Sequence, residues 1–314
     1  MSEIRLKTVT RTQGNNQALK DGSVQPQGFA FDFVEVPVLI DAFRRMVRGL
    51  EFDVSEMALT TFLCARAHGK RFTGLPIFLM RAFHHGALLR SADSTIREPK
   101  DLQGKKIGVN RGYTVTTGLW ARQVLQHQYG VDLKSITWVL SGDEHVAEYR
   151  PPADVVPIGA GQTMAAMLES GELAAAIGIE PGPGLVPVIA NPKEAGFEAL
   201  RRTGHYPINH LMVVRDDVLA ARPELAAQIF EAFAEAKRLY VQRLRAGTID
   251  APGPIDEMYR RVMEITGRDP LPYGLEPNRA MLEQAVQAAC EQGIVAEPAA
   301  LESLFAPGTH ALVA

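Results

Sequence analysis

Apolar and polar positions alternate from Ile4 to Thr10, the period of a strand with one buried face, and Phe29–Val36 repeats the pattern. Pro37 then opens a different rhythm. Leu39, Phe43, Met46, Val47 and Leu50 fall at offsets 0, 4, 7, 8 and 11, one stripe of an amphipathic helix that closes near Gly49. Phe52–Met57 predicts a short strand, Thr60–Ala67 a helix, and Leu75–Phe78 and Ala87–Arg90 extended chain. Asp101–Leu125 holds a whole unit: a turn to Gly104, a buried strand over Lys106–Val109, a loop, and a helix with Trp120, Ala121, Val124 and Leu125 on one face. Strand Ile136–Leu140, helix Gln162–Ser170, small-residue strand Leu173–Ile177 and the extended run Pro207–Val214 follow. Helix Pro223–Gly247 aligns Leu225, Ile229, Phe233, Ala236, Tyr240 and Leu244; helices over Asn278–Gln292 and Leu301–Phe305 close the series.

Strands alternating with helices imply α/β units and mixed, mostly parallel sheets. A chain of 314 residues suits two lobes better than one small core. The extended runs near His85–Ser91 and Tyr206–Arg215 are placed to cross between them. That predicts a discontinuous first lobe, 1–89 with 212–314, a second lobe inserted at 90–211, and a ligand cleft between the two.

The net charge of −3, with no long Lys/Arg run, predicts no nucleic-acid surface. No apolar stretch of about 18 residues exists to span a membrane. The start, MSEIRLKTVTRTQG, lacks the apolar core of a secretory signal, so the expected compartment is the cytoplasm. Cys64 and Cys290 lie in apolar helical patterns and read as buried thiols. No GxxxxGK[ST], GxGxxG or GxSxG string occurs, so nucleotide cofactors and serine hydrolysis are not expected.

The entry of the helix after Val109 gathers Arg111, Tyr113, Thr114, Thr116 and Thr117. Hydroxyls, a guanidinium and free N–H groups at a helix start make a seat for a carboxylate; an ordinary N-cap has the same composition. Elsewhere His85 and His210 end the two extended runs and can exchange a proton near neutral pH. Glu56 follows a strand that should be buried, which requires a partner such as Arg11 or Arg81. Both arginines suit a bidentate grip on carboxylate. His85, His210 and Glu56 together have the donor types for a divalent metal, but no ligand spacing supports one, and none is expected.

Six strings in this order and spacing carry a family resemblance: Arg11-Thr12, the run Glu51–Met57 (EFDVSEM), Arg81 with Phe83 and His85, DLQGKKIGV leading to Tyr113, Thr116 and Trp120, Trp138 with Gly142 and Glu144, and Gly204–His210 (GHYPINH) before Val213-Val214-Arg215. The chain resembles the 4,5-dihydroxyphthalate decarboxylase family within the type II periplasmic-binding-protein fold. Three places depart from the family pattern: Val-Thr-Arg-Thr at 9–12 lacks the usual Asp, Asn110-Arg111-Gly112 replaces a Pro-Glu pair, and IEPGPG brings Glu180 to a loop where a basic or small polar residue is usual.

The resemblance implies a two-lobed α/β fold with two mixed sheets joined by two crossover strands. It implies a cofactor-independent decarboxylase acting on a hydroxylated aromatic carboxylic acid, with a possible homo-oligomer as assembly. His85, His210 and Glu56 would be catalytic. Arg11, Ser55, Arg81, Tyr113, Thr116, Thr117 and Glu180 would contact substrate. A solute-binding protein for a small organic acid remains an alternative, as does a biosynthetic enzyme like those of the futalosine menaquinone pathway. Pyrimidine-synthase relatives are excluded, because their cysteine-rich motif is absent.

Overall fold

The computed structural model describes residues 4–314, which divide into two compact units. The first runs to Arg81 and takes in Ile208–Glu283 and Ala299–Ala314; the second comprises Ala82–Pro207 and Gln284–Pro298.

The first unit holds five strands: β1 (Ile4–Val9), β2 (Phe29–Phe33), β3 (Val54–Ala58), β4 (Phe72–Arg81) and, from far downstream, Ile208–Arg215. In the second lie β5 (Leu88–Ser91), β6 (Lys106–Val109), β7 (Thr137–Leu140), β8 (Val155–Pro157), β9 (Ala175–Ile177) and β10 (Leu185–Pro187); Ile208–Arg215 is therefore β11. The first sheet has the order β2-β1-β3-β11-β4, with β1 parallel to β2 and β3 and β11 antiparallel to β3 and β4. The predicted stripe of the helix Leu225–Ala246 packs on it: Leu225, Ile229, Phe233 and Ala236 join Leu6, Phe29, Val54, Leu75 and Met212 in one core. Burial of such apolar faces is the main driving force for this packing.

The second sheet runs β10-β5-β9-β6-β7-β8, with β6 parallel to β7 and β9 and β5 antiparallel to β9 and β10. Gly108 of β6 is needed for closeness. A Cβ there would lie 3.0 Å from Leu173 Cδ1 and 3.1 Å from Met164 Sδ, so a side chain would require both to give by a few tenths of an ångström.

The structure departs from the sequence expectation in three respects. Helices Pro192–Thr203 and Pro254–Thr266 form where the sequence expectation has no element. Both start at a proline that supplies the helical φ without wasting an N–H. Short strands β8 and β10 are likewise additional to the expected series. Residues 284–298 cluster with the second unit and not the first, because Gln292 receives the Arg122 guanidinium at 2.7 Å and Gln284 binds His205 at 2.9 Å. Among the described residues no helix is long and apolar enough to cross a membrane.

Candidate active site

Strand β1 ends at Val9, and the chain then turns through Thr10–Asn16 beside Glu56 of β3. Glu56 is fully buried. Its Oε2 accepts from the Thr10 hydroxyl at 2.7 Å and the Arg11 N–H at 3.0 Å; the Gln13 amide donates to Oε1 at 3.3 Å. His210 Nδ1, from β11, lies 2.6 Å from Oε1. Phe43 meets the imidazole edge-to-face at 5.3 Å between ring centres.

This donor set decides the protonation states. Burial pushes the Glu56 carboxyl up, but the His210 hydrogen bond and charge, the Thr10 hydroxyl and the Arg11 N–H outweigh it and hold it below the ordinary glutamate value. Glu56 is therefore a carboxylate, an acceptor only, and His210 must carry its proton on Nδ1. Nε2 meets no hydrogen-bond partner among the described residues, and the side chain is 16% exposed.

Arg11 is exposed, and its guanidinium donates one hydrogen bond among the described residues, to Met80 Sδ at 3.4 Å. It lines a pocket of about 280 Å³ with Gln13, Tyr240, Asp256 and Tyr259, all within the first unit. No carboxylate among the described residues pairs with it.

The remaining expected residues are placed otherwise. Ser55 is buried on the opposite face of β3 from Glu56, where its hydroxyl donates to the Glu56 carbonyl at 2.7 Å; it is not poised for substrate. Arg81 is buried at the end of β4, donating to the Asn278 side chain, and does not line the Arg11 pocket. His85 belongs to the second unit and is fully buried; its Nε2 pairs with Gln128 Oε1 at 2.8 Å. Burial lowers its pKa, and that of His205, 6.2 Å away between rings, falls to about 4. His85 is a neutral core imidazole, which corrects the expectation of an accessible proton donor.

The Tyr113–Thr114 part of the expected anion seat is also corrected. Glu144 accepts from the N–H groups of Tyr113 and Thr114 and from the Thr114 hydroxyl, so the protein's own carboxylate occupies that part, ahead of the helix start at Thr116. Gly112 makes room: a Cβ there would lie 2.5 Å from Glu144 Oε2. Thr116 is buried at the first turn of the helix Thr116–Tyr129, Thr117 is half-buried beside it, and Glu180 is exposed. Thr10, Gln13 and Asn16 were missed, although their crowding in TRTQGNN directly after a strand was a usable signal.

No protein-family model matches the chain. It is 27% identical over 328 residues to a 4,5-dihydroxyphthalate decarboxylase of Comamonas testosteroni, covering 98% of each chain. To a 4,5-dihydroxyphthalate decarboxylase of Pseudomonas putida it is 32% identical over 187 residues, covering 57% of this chain and 71% of that one. The periplasmic aliphatic sulphonate binding protein SsuA from Escherichia coli superposes with a TM-score of 0.56 at 15% identity, over 97% of this chain and 92% of that one.

The two mixed sheets and the SsuA likeness define a protein of the type II periplasmic-binding-protein-like fold. Within that fold, the chain belongs to the 4,5-dihydroxyphthalate decarboxylase family.

Proposed function

We propose that this protein is a cofactor-independent decarboxylase acting on a hydroxylated aromatic carboxylic acid of the 4,5-dihydroxyphthalate type. The observation that carries the reading is the 2.6 Å bond between Glu56 and His210, which leaves Nε2 outward. Family membership supplies the substrate class. The ligand is a small carboxylate, and Arg11 grips the carboxylate that is retained.

Each carboxylate-bearing ring carbon of 4,5-dihydroxyphthalate is para to one hydroxyl, which can push electron density toward it. The ring takes the Nε2 proton of imidazolium His210 at that carbon. The bond to the departing carboxylate then breaks, its electron pair restores the aromatic ring, and CO2 leaves. One proton is consumed, and His210 regains it from solvent. Glu56 stabilises the imidazolium while the proton waits and keeps the ring aligned.

A second reading is a solute-binding protein for an organic acid, favoured by the fold shared with SsuA and by an Arg11 pocket that needs no chemistry. Two measurements separate them: ligand-induced thermal shift and CO2 release, with 4,5-dihydroxyphthalate as probe. The enzyme reading expects both from the parent, and His210→Asn to cut CO2 release by roughly 100-fold with little change in affinity. Binding without CO2 release from the parent would establish the receptor reading. Full activity in His210→Asn would remove His210 as the proton donor.

A further inference from the structure

The chain that brings Thr10, Arg11 and Gln13 to Glu56 is itself held by one side chain. Asn16 is fully buried; its Oδ1 accepts from the Gln13 N–H at 2.8 Å, and its Nδ2 donates to Thr10 Oγ1 at 3.0 Å and to the Arg11 carbonyl at 2.9 Å. The amide orientation is forced, because only an oxygen can receive the Gln13 N–H. A hydroxyl has one proton. With Asn16 donating to its oxygen, Thr10 must spend that proton on an acceptor, and the charged Glu56 Oε2 at 2.7 Å is nearer than the Arg11 carbonyl at 3.3 Å. Lys20 holds the other side, donating from Nζ to the Thr10 carbonyl at 2.6 Å and the Thr12 hydroxyl at 3.1 Å.

We propose that Asn16 is a positioning residue that acts through Thr10: it points the Thr10 hydroxyl at Glu56, and so locks the carboxylate in the orientation that selects the Nδ1–H tautomer of His210. The proposal deepens the decarboxylase reading and rests on its use of Nε2. Without the Asn16 bonds the Thr10 proton can turn to the Arg11 carbonyl, the turn at 11–13 loosens, and Glu56 loses donors that fix its rotamer. His210 then samples both tautomers, and Nε2 is no longer the uniformly available atom.

The test is nitrogen-15 NMR of the His210 ring in the intact chain, at a pH where the imidazole is neutral. The parent should show one tautomer, protonated on Nδ1. Asn16→Ala should move both ring-nitrogen resonances toward the values of a free imidazole, which favours Nε2–H. Thr10→Val, which keeps the shape and removes the hydroxyl, should do the same, while Thr10→Ser should retain the parent spectrum. If Asn16→Ala does not fold, the Thr10 pair decides the matter alone. A parent that is not Nδ1–H, an Asn16→Ala spectrum like the parent's, or a Thr10→Val spectrum like the parent's would overturn the proposal. Thr10→Ser behaving like Thr10→Val would do so too, since the methyl would then matter and not the hydroxyl. A parent with the expected tautomer and no CO2 release would instead sink the decarboxylase reading and leave the positioning role standing.

Discussion

His210 reaches Glu56 on a diagonal. In the register of β3 and β11, Met212 stands opposite Glu56 and His210 stands opposite Ala58, yet His210 Nδ1 closes to 2.6 Å from Glu56 Oε1. Residues two apart on one face of a sheet are within reach of a long or aromatic side chain, and the small Ala58 leaves the way open.

Glu56→Gln should therefore be costly even though its shape is kept. The new amide presents an NH2 group to a site built of donors, and one of Thr10, Arg11, Gln13 or His210 loses its acceptor. Breaking a buried, hydrogen-bonded ion pair from one side costs about 3–5 kcal/mol. Urea unfolding of the parent and variant measures it, and a loss below about 1 kcal/mol would show that the donors do not depend on the charge.

Acid should weaken the fold well before carboxylates titrate. Burial lowers the His205 pKa from its ordinary 6.5 to about 4, so between those values the unfolded chain binds a proton that the folded chain does not. Stability then falls as pH falls, by about 1.4 kcal/mol per unit across that window. Buried His85 adds to the same slope. Glu56 acts in the same direction, but only below the ordinary glutamate value of 4.5. His205→Phe should flatten the stability profile between pH 6.5 and 4; an unchanged slope would assign it to other groups.

Gly112→Ala tests the filled anion seat. The backbone accepts an alanine, but its Cβ would meet the Glu144 carboxylate at 2.5 Å and drive it from the N–H groups of Tyr113 and Thr114. Losing charge-assisted hydrogen bonds of this kind costs roughly 1.5–3 kcal/mol. Thermal unfolding reads the loss. A neutral substitution would mean that Glu144 can leave the seat at no cost.

Arg122→Lys is not conservative here. The guanidinium lies 3.8 Å from the centre of the Tyr113 ring, gives Nη2 to the Tyr113 carbonyl at 2.8 Å and gives Nε to Gln292 at 2.7 Å. A lysine ammonium cannot stack and fork at once, and it would stay buried with fewer partners. Loss of about 2–4 kcal/mol in denaturant unfolding is expected, and parity with the parent would refute the argument.

Apolar pattern made the sheets and the long helix legible, because β3, β6 and β11 are short runs buried on both faces and the stripe from Leu225 to Leu244 marks the packed side of its helix. Glu56 was legible for a related reason: a charge inside a buried strand demands a partner. What failed were pairings between distant residues. Nothing near Tyr113 announces that Glu144 will fill its N–H groups, and nothing near His85 announces that Gln128 and His205 will enclose it. Nor could local pattern show residues 284–298 joining the second unit, since a helix stripe records that a face is covered and not by what.

That last segment sets the timetable of synthesis. When the ribosome has made Pro207, the second unit still lacks Gln284, Glu291 and Gln292, and much of the first unit must be translated before they appear. At about 5–20 residues per second the nascent Arg122 and His205 wait several seconds for their glutamine partners. The second unit starts early on the ribosome and is completed late, so a chain stalled between these points leaves Arg122 Nε without its acceptor while the rest of the guanidinium is already held by Tyr113.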